Sequence, residues 1–388
     1  MYKDIDSCLC CGSQELNTFL DLGKQPLANN LNKTMDQEYE EFPLLVNYCK
    51  NCWHSQLSIS VDPEILFRDY FYVTGTSKTM HEYCEQLAQI LFEKSENKKC
   101  TILDIASNDG TFLEKFKKYN WDLYGVDPAQ NLAESSRTKG IKTFVNFFGA
   151  EDIEFGTKFD FITAMNVFAH VPDPFKFLME CKNILKKGGN IVIQTSQRDM
   201  VEHRQFDTVY HEHISFFSIR SMKTLCERAG LHLNDVLLQD IHGGSYVFFI
   251  SDKQDESKAL HLHLKSETEA GRYMTQTYDA FQQDVSKLSE EVRTKFKNKT
   301  LIAFGAAAKG VVALHALGLD PDCIIDENPL KIGKYLQKKN VPIVDISRLR
   351  DYDQDLDILI LPWNFKKEIS EKIKKIRGNR DNLVCLFE

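Results

Sequence analysis

Two groups of side chains stand out for the chemistry that their types and spacing allow. Cys8-Leu-Cys10-Cys11 is followed, after 37 residues, by Cys49-Lys-Asn-Cys52. Each Cys-x-x-Cys knuckle presents two thiolates on a tight turn, and two knuckles supply the four sulfur ligands of a tetrahedral zinc site, Cys8, Cys11, Cys49 and Cys52. Four sulfurs leave no open coordination position, so such a zinc is structural and supplies folding free energy to a segment with few apolar residues. Cys10 and His54 are substitute ligands, and buried free thiols or a redox-active pair are the competing uses. The second group is Tyr210-His-Glu-His213, with four titratable side chains in succession. An imidazole of ordinary pKa near 6.5 held by a neighbour is suited to acid–base work at neutral pH. His-x-His also binds metal in some folds, but the chain shows no matching third ligand.

A third feature is a ligand-sized turn. Thr101-Ile-Leu-Asp-Ile-Ala-Ser-Asn-Asp-Gly-Thr-Phe-Leu113 reads as strand, small-residue turn and helix. Ala106, Ser107, Asn108 and Gly110 let a ligand approach the backbone, and the helix start offers free N–H groups. Asp127, followed by Pro128, stands seventeen positions past Gly110 and ends the next strand, where a carboxylate suits ribose hydroxyls. The turn lacks Gly-x-Gly-x-x-Gly, and Asp104 and Asp109 flank it. Negative charge there suits a sulfonium and an ammonium better than a pyrophosphate, which favours S-adenosylmethionine over a dinucleotide. The bland alternative is a turn that only packs strand against helix.

These groups need a scaffold, and the chain supplies one. Lys78 to Lys94 carries apolar residues at helical spacing. Thr101–Ile105, Leu123–Val126, Phe159–Met165 and Asn190–Gln194 read as strands separated by helices, the rhythm of a doubly wound α/β sheet. Ligands in such sheets lie beyond the strands' carboxyl ends, which places Asn166 and His170 beside the cofactor. A charged helical stretch, Ser257 to Lys297, leads to a second alternation with strands Leu301–Gly305, Cys323–Asp326 and Leu356–Leu361. The organisation expected is therefore a zinc-binding module over 1–75, a cofactor-binding domain over 76–255 and a Rossmann-like domain over 256–388.

Composition sets the outer bounds. The 388 residues hold 43% hydrophobic and 27% charged side chains, as soluble globular proteins do. Net charge is −8 and no Lys/Arg stripe is present, which disfavours a nucleic-acid partner. No apolar run is long enough to span a membrane. The polar start shows no secretory signal, so a cytoplasmic location and reduced cysteines are expected, with Cys84, Cys100, Cys181, Cys226, Cys323 and Cys385 as packing residues.

Taken together, these motifs resemble the sugar-nucleotide C-methyltransferases that act on keto-deoxysugars. The resemblance spans essentially the whole chain. It is carried by the cysteine knuckles, Leu22-Gly-Lys-Gln-Pro-Leu-Ala-Asn29, Asp69-Tyr-Phe-Tyr-Val-Thr-Gly-Thr-Ser77, Asp104–Thr111, His170-Val-Pro-Asp-Pro174, Tyr210–His213, His242-Gly-Gly-Ser245 and Gly305–Gly310. It implies a zinc module, a central class I methyltransferase domain and a C-terminal domain that helps hold a nucleotide-linked 4-keto-6-deoxysugar. It also implies methyl transfer from S-adenosylmethionine to C3 through an enolate. By this resemblance His213 is the base, with Glu212, Tyr210 and His170 around the reacting sugar. Tyr70 or Tyr72, His211, His242, Gly243, Ser245 and Lys309 would contact the substrate. Gln194-Thr-Ser-Gln197 and the Tyr246-Val247 pair depart from the family pattern and leave the sugar's identity open. O- or N-methylation, methylation at C5, a non-catalytic zinc adaptor and an oxidoreductase using the Gly305–Gly310 turn are the alternatives.

Overall fold

The computed structural model describes residues 1–67, 74–76, 78–151 and 153–387. Tyr70 and Tyr72 lie outside the described residues.

The sequence between residues 101 and 251 folds around one seven-stranded sheet. Its strands run in the order His232–Gln239, Ser245–Ser251, Leu185–Ser196, Phe159–Met165, Thr101–Ile105, Asp122–Val126 and Lys142–Phe144. Ile102, Leu103, Phe161, Ile162, Ile191 and Val192 are buried in succession, the mark of strands covered on both faces. One face is covered by Lys78–Lys94, whose Tyr83, Leu87 and Leu91 join Phe112, Phe116 and Trp121 in one cluster. The other carries Pro174–Ile184 and Ile219–Arg228. The first of these starts at Asp173, which accepts from Lys176 N, with Pro174 in the first turn. The second starts in a capping box at Ser218. The expected strands are present, two of them with the expected bounds. The sheet is not parallel throughout, because Ser245–Ser251 runs antiparallel to both of its neighbours.

The cysteine segment forms a four-stranded sheet, ordered Ser215–Phe216, Ser55–Leu57, Glu41–Cys49 and Leu16–Pro26. The outermost strand comes from the central domain, directly after the histidine run. The C-terminal sheet has six strands, ordered Tyr335–Leu336, Val341–Val344, Cys323–Ile325, Leu301–Phe304, Asp357–Ile360 and Asn382–Cys385. The bridging stretch is three helices, Lys258–Glu269, Thr275–Asp279 and Phe281–Phe296. Gly271 at φ 77° lies in the break between the first two.

The cysteine module has one small cluster of its own, Leu27, Phe42, Ile59 and Val61, and shares the rest of its core. Phe19, Leu20, Leu44, Val46 and Tyr48 share a cluster with Tyr278 and Phe281 of the bridging helices and with Val311, Leu314 and Ile324 of the C-terminal domain. Tyr48 stacks on Tyr278 with centroids 4.3 Å apart. A module this small cannot bury enough apolar area alone, so it borrows a face from the rest of the chain. Among the described residues no helix is long and apolar enough to cross a membrane.

Candidate active site

The four knuckle sulfurs converge. Their Sγ atoms all lie within 4.8 Å of one another, with Cys8 3.4 Å from Cys52 and Cys11 3.5 Å from Cys49. A zinc ion with Zn–S bonds of about 2.3 Å sets sulfurs at roughly 3.8 Å, so the donor set and its size fit that ion. Cys10 and His54 are not in the cluster. His54 Nε2 instead meets Ser215 Oγ at 3.2 Å.

The cofactor turn is built from left-handed residues. Ala106, Asn108 and Gly110 have φ of 55°, 53° and 76°. A Cβ on Gly110 would come within 2.6 Å of Ser136 Oγ, so glycine is required there on two counts. Asp127 ties this turn to the second strand, accepting from Asn108 N at 2.8 Å and Ala129 N at 2.9 Å. Each carboxylate oxygen retains a second lone pair for a ligand hydroxyl. Pro128, half-buried, continues the same turn. The two flanking aspartates differ in kind. Asp109 is committed to Thr111 and to Lys139 Nζ at 3.2 Å, so its charge is already neutralised. Asp104 accepts only from Thr163 Oγ1 among the described contacts, at 2.6 Å, and burial pushes its pKa up to about 7. A cationic ligand group beside it would restore the anion. Of the two aspartates expected to flank the cofactor turn with negative charge, Asp109 is thus paired within the protein and Asp104 is not paired with a cation among the described contacts.

Among the described residues, several buried polar atoms near these strand ends have no hydrogen-bond partner: Ser107 Oγ, Asn166 Oδ1, Gln194 Nε2 and Thr195 Oγ1. Asn166, at φ 57°, is fixed by its N–H on the Gln194 carbonyl at 3.0 Å, and Tyr83 donates to Gln194 Oε1 at 2.9 Å. Each such orphan costs about 1–3 kcal/mol if left dry, so this run of them at strand ends calls for water or ligand partners.

The histidine run forms the adjoining wall. His213 is 5% exposed and its Nδ1 lies 2.8 Å from the Thr208 carbonyl, which fixes the proton on that nitrogen. Nε2 then carries the lone pair and receives the Tyr210 hydroxyl at 2.8 Å. His170 lies beside it, ring centroids 5.1 Å apart, with its own Nδ1 2.6 Å from the Glu212 carbonyl. Burial, and then the His170 ring, hold the His213 pKa well below its usual value, so the imidazole is neutral. The Glu212 carboxylate does not hold His213. It accepts from Asn29 Nδ2 at 3.0 Å, and burial raises its pKa.

The C-terminal domain closes the site. Lys309, in the first turn of the helix Ala308–Leu317, reaches the His242 carbonyl at 3.4 Å and lies 5.1 Å over the Trp363 ring. Trp363 Nε1 donates to Asp207 Oδ2 at 2.9 Å, one residue before the Thr208 carbonyl that bonds His213. Gly243 allows that approach, since a Cβ there would meet Trp363 at 2.7 Å. His242 Nε2 is buried without a partner among the described residues.

Two of the expected substrate contacts bond within the protein. Ser245 Oγ donates to the Ile241 carbonyl at 2.9 Å, inside its own loop. His211 Nε2 lies 3.4 Å from the Phe42 carbonyl of the cysteine module. Conversely, Asn29, Asp207, Trp363 and Gln197 were not singled out by their sequence context. Gln197 places its Nε2 2.9 Å and 3.0 Å from the two ring nitrogens of His213. The polar run Gln194–Gln197 at the end of an apolar strand was the one available signal.

Family comparisons match the chain in three consecutive stretches. Residues 8–67 match a family described as "Putative zinc binding domain", 76–236 one described as "Methyltransferase domain", and 240–387 one described as "C-methyltransferase C-terminal domain". The C-methyltransferase NovU of Streptomyces niveus is 30% identical over 401 residues, covering 98% of this chain and 95% of that protein. The ubiquinone biosynthesis O-methyltransferase of Coxiella burnetii (strain Dugway 5J108-111) is 24% identical over 187 residues, 44% of this chain and 80% of that protein. Among solved structures, magnesium protoporphyrin IX methyltransferase from Synechocystis PCC 6803 with bound SAM is 10% identical. That match has a TM-score of 0.39 and covers 50% of this chain and 99% of that one.

Proposed function

This chain belongs to the C-methyltransferases that use S-adenosylmethionine, and from that premise we propose that it methylates C3 of a nucleotide-linked 4-keto-6-deoxysugar, with His213 as the base. A C–H bond becomes nucleophilic only when a neighbouring carbonyl acidifies it, so the reaction needs a base and a polar wall for the enolate oxygen. The observation that carries the reading is the state of His213. The Thr208 carbonyl fixes its Nδ1–H, burial keeps it neutral, and Nε2 is left basic.

S-adenosylmethionine supplies the electrophilic methyl group. Asp104 would face the positive charge of the bound cofactor, and Asp127 would offer acceptors to its ribose hydroxyls. His213 Nε2 takes the C3 proton and leaves the electron pair in the enolate. The Tyr210 O–H, no longer needed by that nitrogen, turns to the enolate oxygen. His170 and Lys309 complete a wall that excludes water, and Lys309 adds positive charge to it. His242, Gly243 and Lys309 line the C-terminal side, where the nucleotide would lie.

The test uses a thymidine diphosphate 4-keto-6-deoxyhexose in deuterated water without methyl donor. The wild-type chain exchanges the C3 proton. His213→Asn should keep its fold and its affinity for S-adenosylhomocysteine and lose wash-in by about 10²–10⁴-fold. Wild-type exchange in His213→Asn together with loss in Glu212→Gln would move the base to Glu212. Methyl transfer without any wash-in would favour O- or N-methylation.

A further inference from the structure

Nothing in the reaction itself requires a zinc module, yet the module touches the catalytic segment at every turn. Strand Ser215–Phe216, two residues past His213, is the outer strand of the module's own sheet, paired with Ser55 and Gln56. Leu57 N donates to the Ile214 carbonyl at 2.8 Å, while Ile214 N donates to Ala169 O at 2.8 Å. His54 meets Ser215 Oγ, and its ring lies 4.9 Å from that of Phe217. Asn29 holds the Glu212 carboxylate, and His211 lies on the Phe42 carbonyl.

The pairing strand is in turn held by both cysteine knuckles. The buried Gln56 side chain accepts from Leu9 N at 2.9 Å and donates to the Ser7 carbonyl at 3.0 Å, on either side of Cys8. At its other end, Cys49 N donates to the His54 carbonyl at 2.9 Å. The knuckles therefore position strand 55–57, and strand 55–57 positions the segment that carries the imidazole.

We infer that the cysteine module is the positioning device of the base: its metal-organised knuckles set the strand Ser55–Leu57, and that strand with Asn29 holds Tyr210–Phe216 at the methyl-transfer site. The inference rests on the assignment of His213 above. It predicts that metal loading and catalytic competence are linked while cofactor binding is not, because the cofactor turn lies on the central sheet.

The experiment is amide hydrogen–deuterium exchange on the full chain bound to S-adenosylhomocysteine, before and after zinc is stripped by a chelator. Residues 210–216 should lose protection together with 44–57, while 101–105 and 122–126 keep theirs. Retained protection at 210–216 while 44–57 opens overturns the inference. If chelation unfolds the whole chain, Asn29→Ala decides. It should keep its zinc and its S-adenosylhomocysteine affinity, expose 210–216 to exchange, and lower the wash-in kcat by about 10²-fold, as a misplaced catalytic group does. An unchanged exchange pattern with an unchanged wash-in rate overturns it. Wild-type wash-in by His213→Asn would remove the base assignment, and the protection of 210–216 would still report on the module's hold over that segment.

Discussion

Asp127→Asn separates the ribose contact proposed for this carboxylate from the turn role that the structure shows. The carboxylate already accepts two backbone N–H groups, from Asn108 and Ala129, and is 5% exposed. An amide keeps the shape but accepts on one side only, so one buried N–H loses its partner at a cost of about 1–3 kcal/mol. That cost loosens the turn and weakens every ligand seated on it. A ribose contact adds a second loss, the charge-assisted hydrogen bond itself, about 1.5–3 kcal/mol or roughly 10- to 150-fold in affinity. Calorimetry with S-adenosylhomocysteine and with its 2′-deoxy analogue isolates the second loss, because turn loosening affects both ligands alike. The wild-type chain should prefer the ribose form, and Asp127→Asn should bind the two nearly equally. A folded Asp127→Asn chain that keeps the wild-type preference would refute the ribose contact and leave Asp127 as a turn residue.

Purified chain should carry about one zinc, and Cys49→Ser should lose it; full metal content in that variant would contradict the four-sulfur site. The wash-in rate should stay level from pH 7 down past 6.5. The imidazole must be neutral to act, and burial keeps its pKa below the usual value, so an acid limb at or above 6.5 would contradict the buried-base geometry. Arg272→Ala should destabilise the chain by about 3–5 kcal/mol in denaturant titration, because it removes the cation paired with buried Glu267 and half-buried Glu202; a cost below about 1 kcal/mol would mean that network is dispensable.

What was legible in the sequence is what local pattern encodes. Thr101–Ile105 and Phe159–Met165 are apolar runs buried on both faces, and their bounds could be read directly. Asn190–Gln194 is the apolar centre of a longer strand, Leu185–Ser196, whose start is disguised by Gly188 and Gly189. The knuckles were legible because metal-ligand spacing is itself a local pattern. The wall around His213 was not, because its partners meet only through the tertiary fold. Asn29 and Glu212 are 183 positions apart, and Asp207 and Trp363 are 156 apart. A single polar residue buried by such a contact leaves no periodicity in its own neighbourhood. For the same reason the neighbour that holds His213 could not be read from the chain, since Glu212, the residue before it, is sent to Asn29 instead.

On the proposed assignment of His213, its placement explains why the chain would need three units for one proton transfer. An imidazole that stays neutral and dry must be walled off, and no single sheet can wall it on every side. The central sheet brings His170 and Gln197 to one side of the ring. The cysteine module fixes the segment on which the ring is mounted. The C-terminal domain reaches the turn 206–208 through Trp363, whose indole bonds Asp207 while the next carbonyl, that of Thr208, bonds His213. Docking of the C-terminal domain and the tautomer of the base are thus set by adjacent residues of one short 3₁₀ turn, Phe206–Thr208. A sugar nucleotide drawn into that side by Lys309 would press on the same turn. Binding energy from the part of the substrate that does not react then has a short path to the geometry of the part that does.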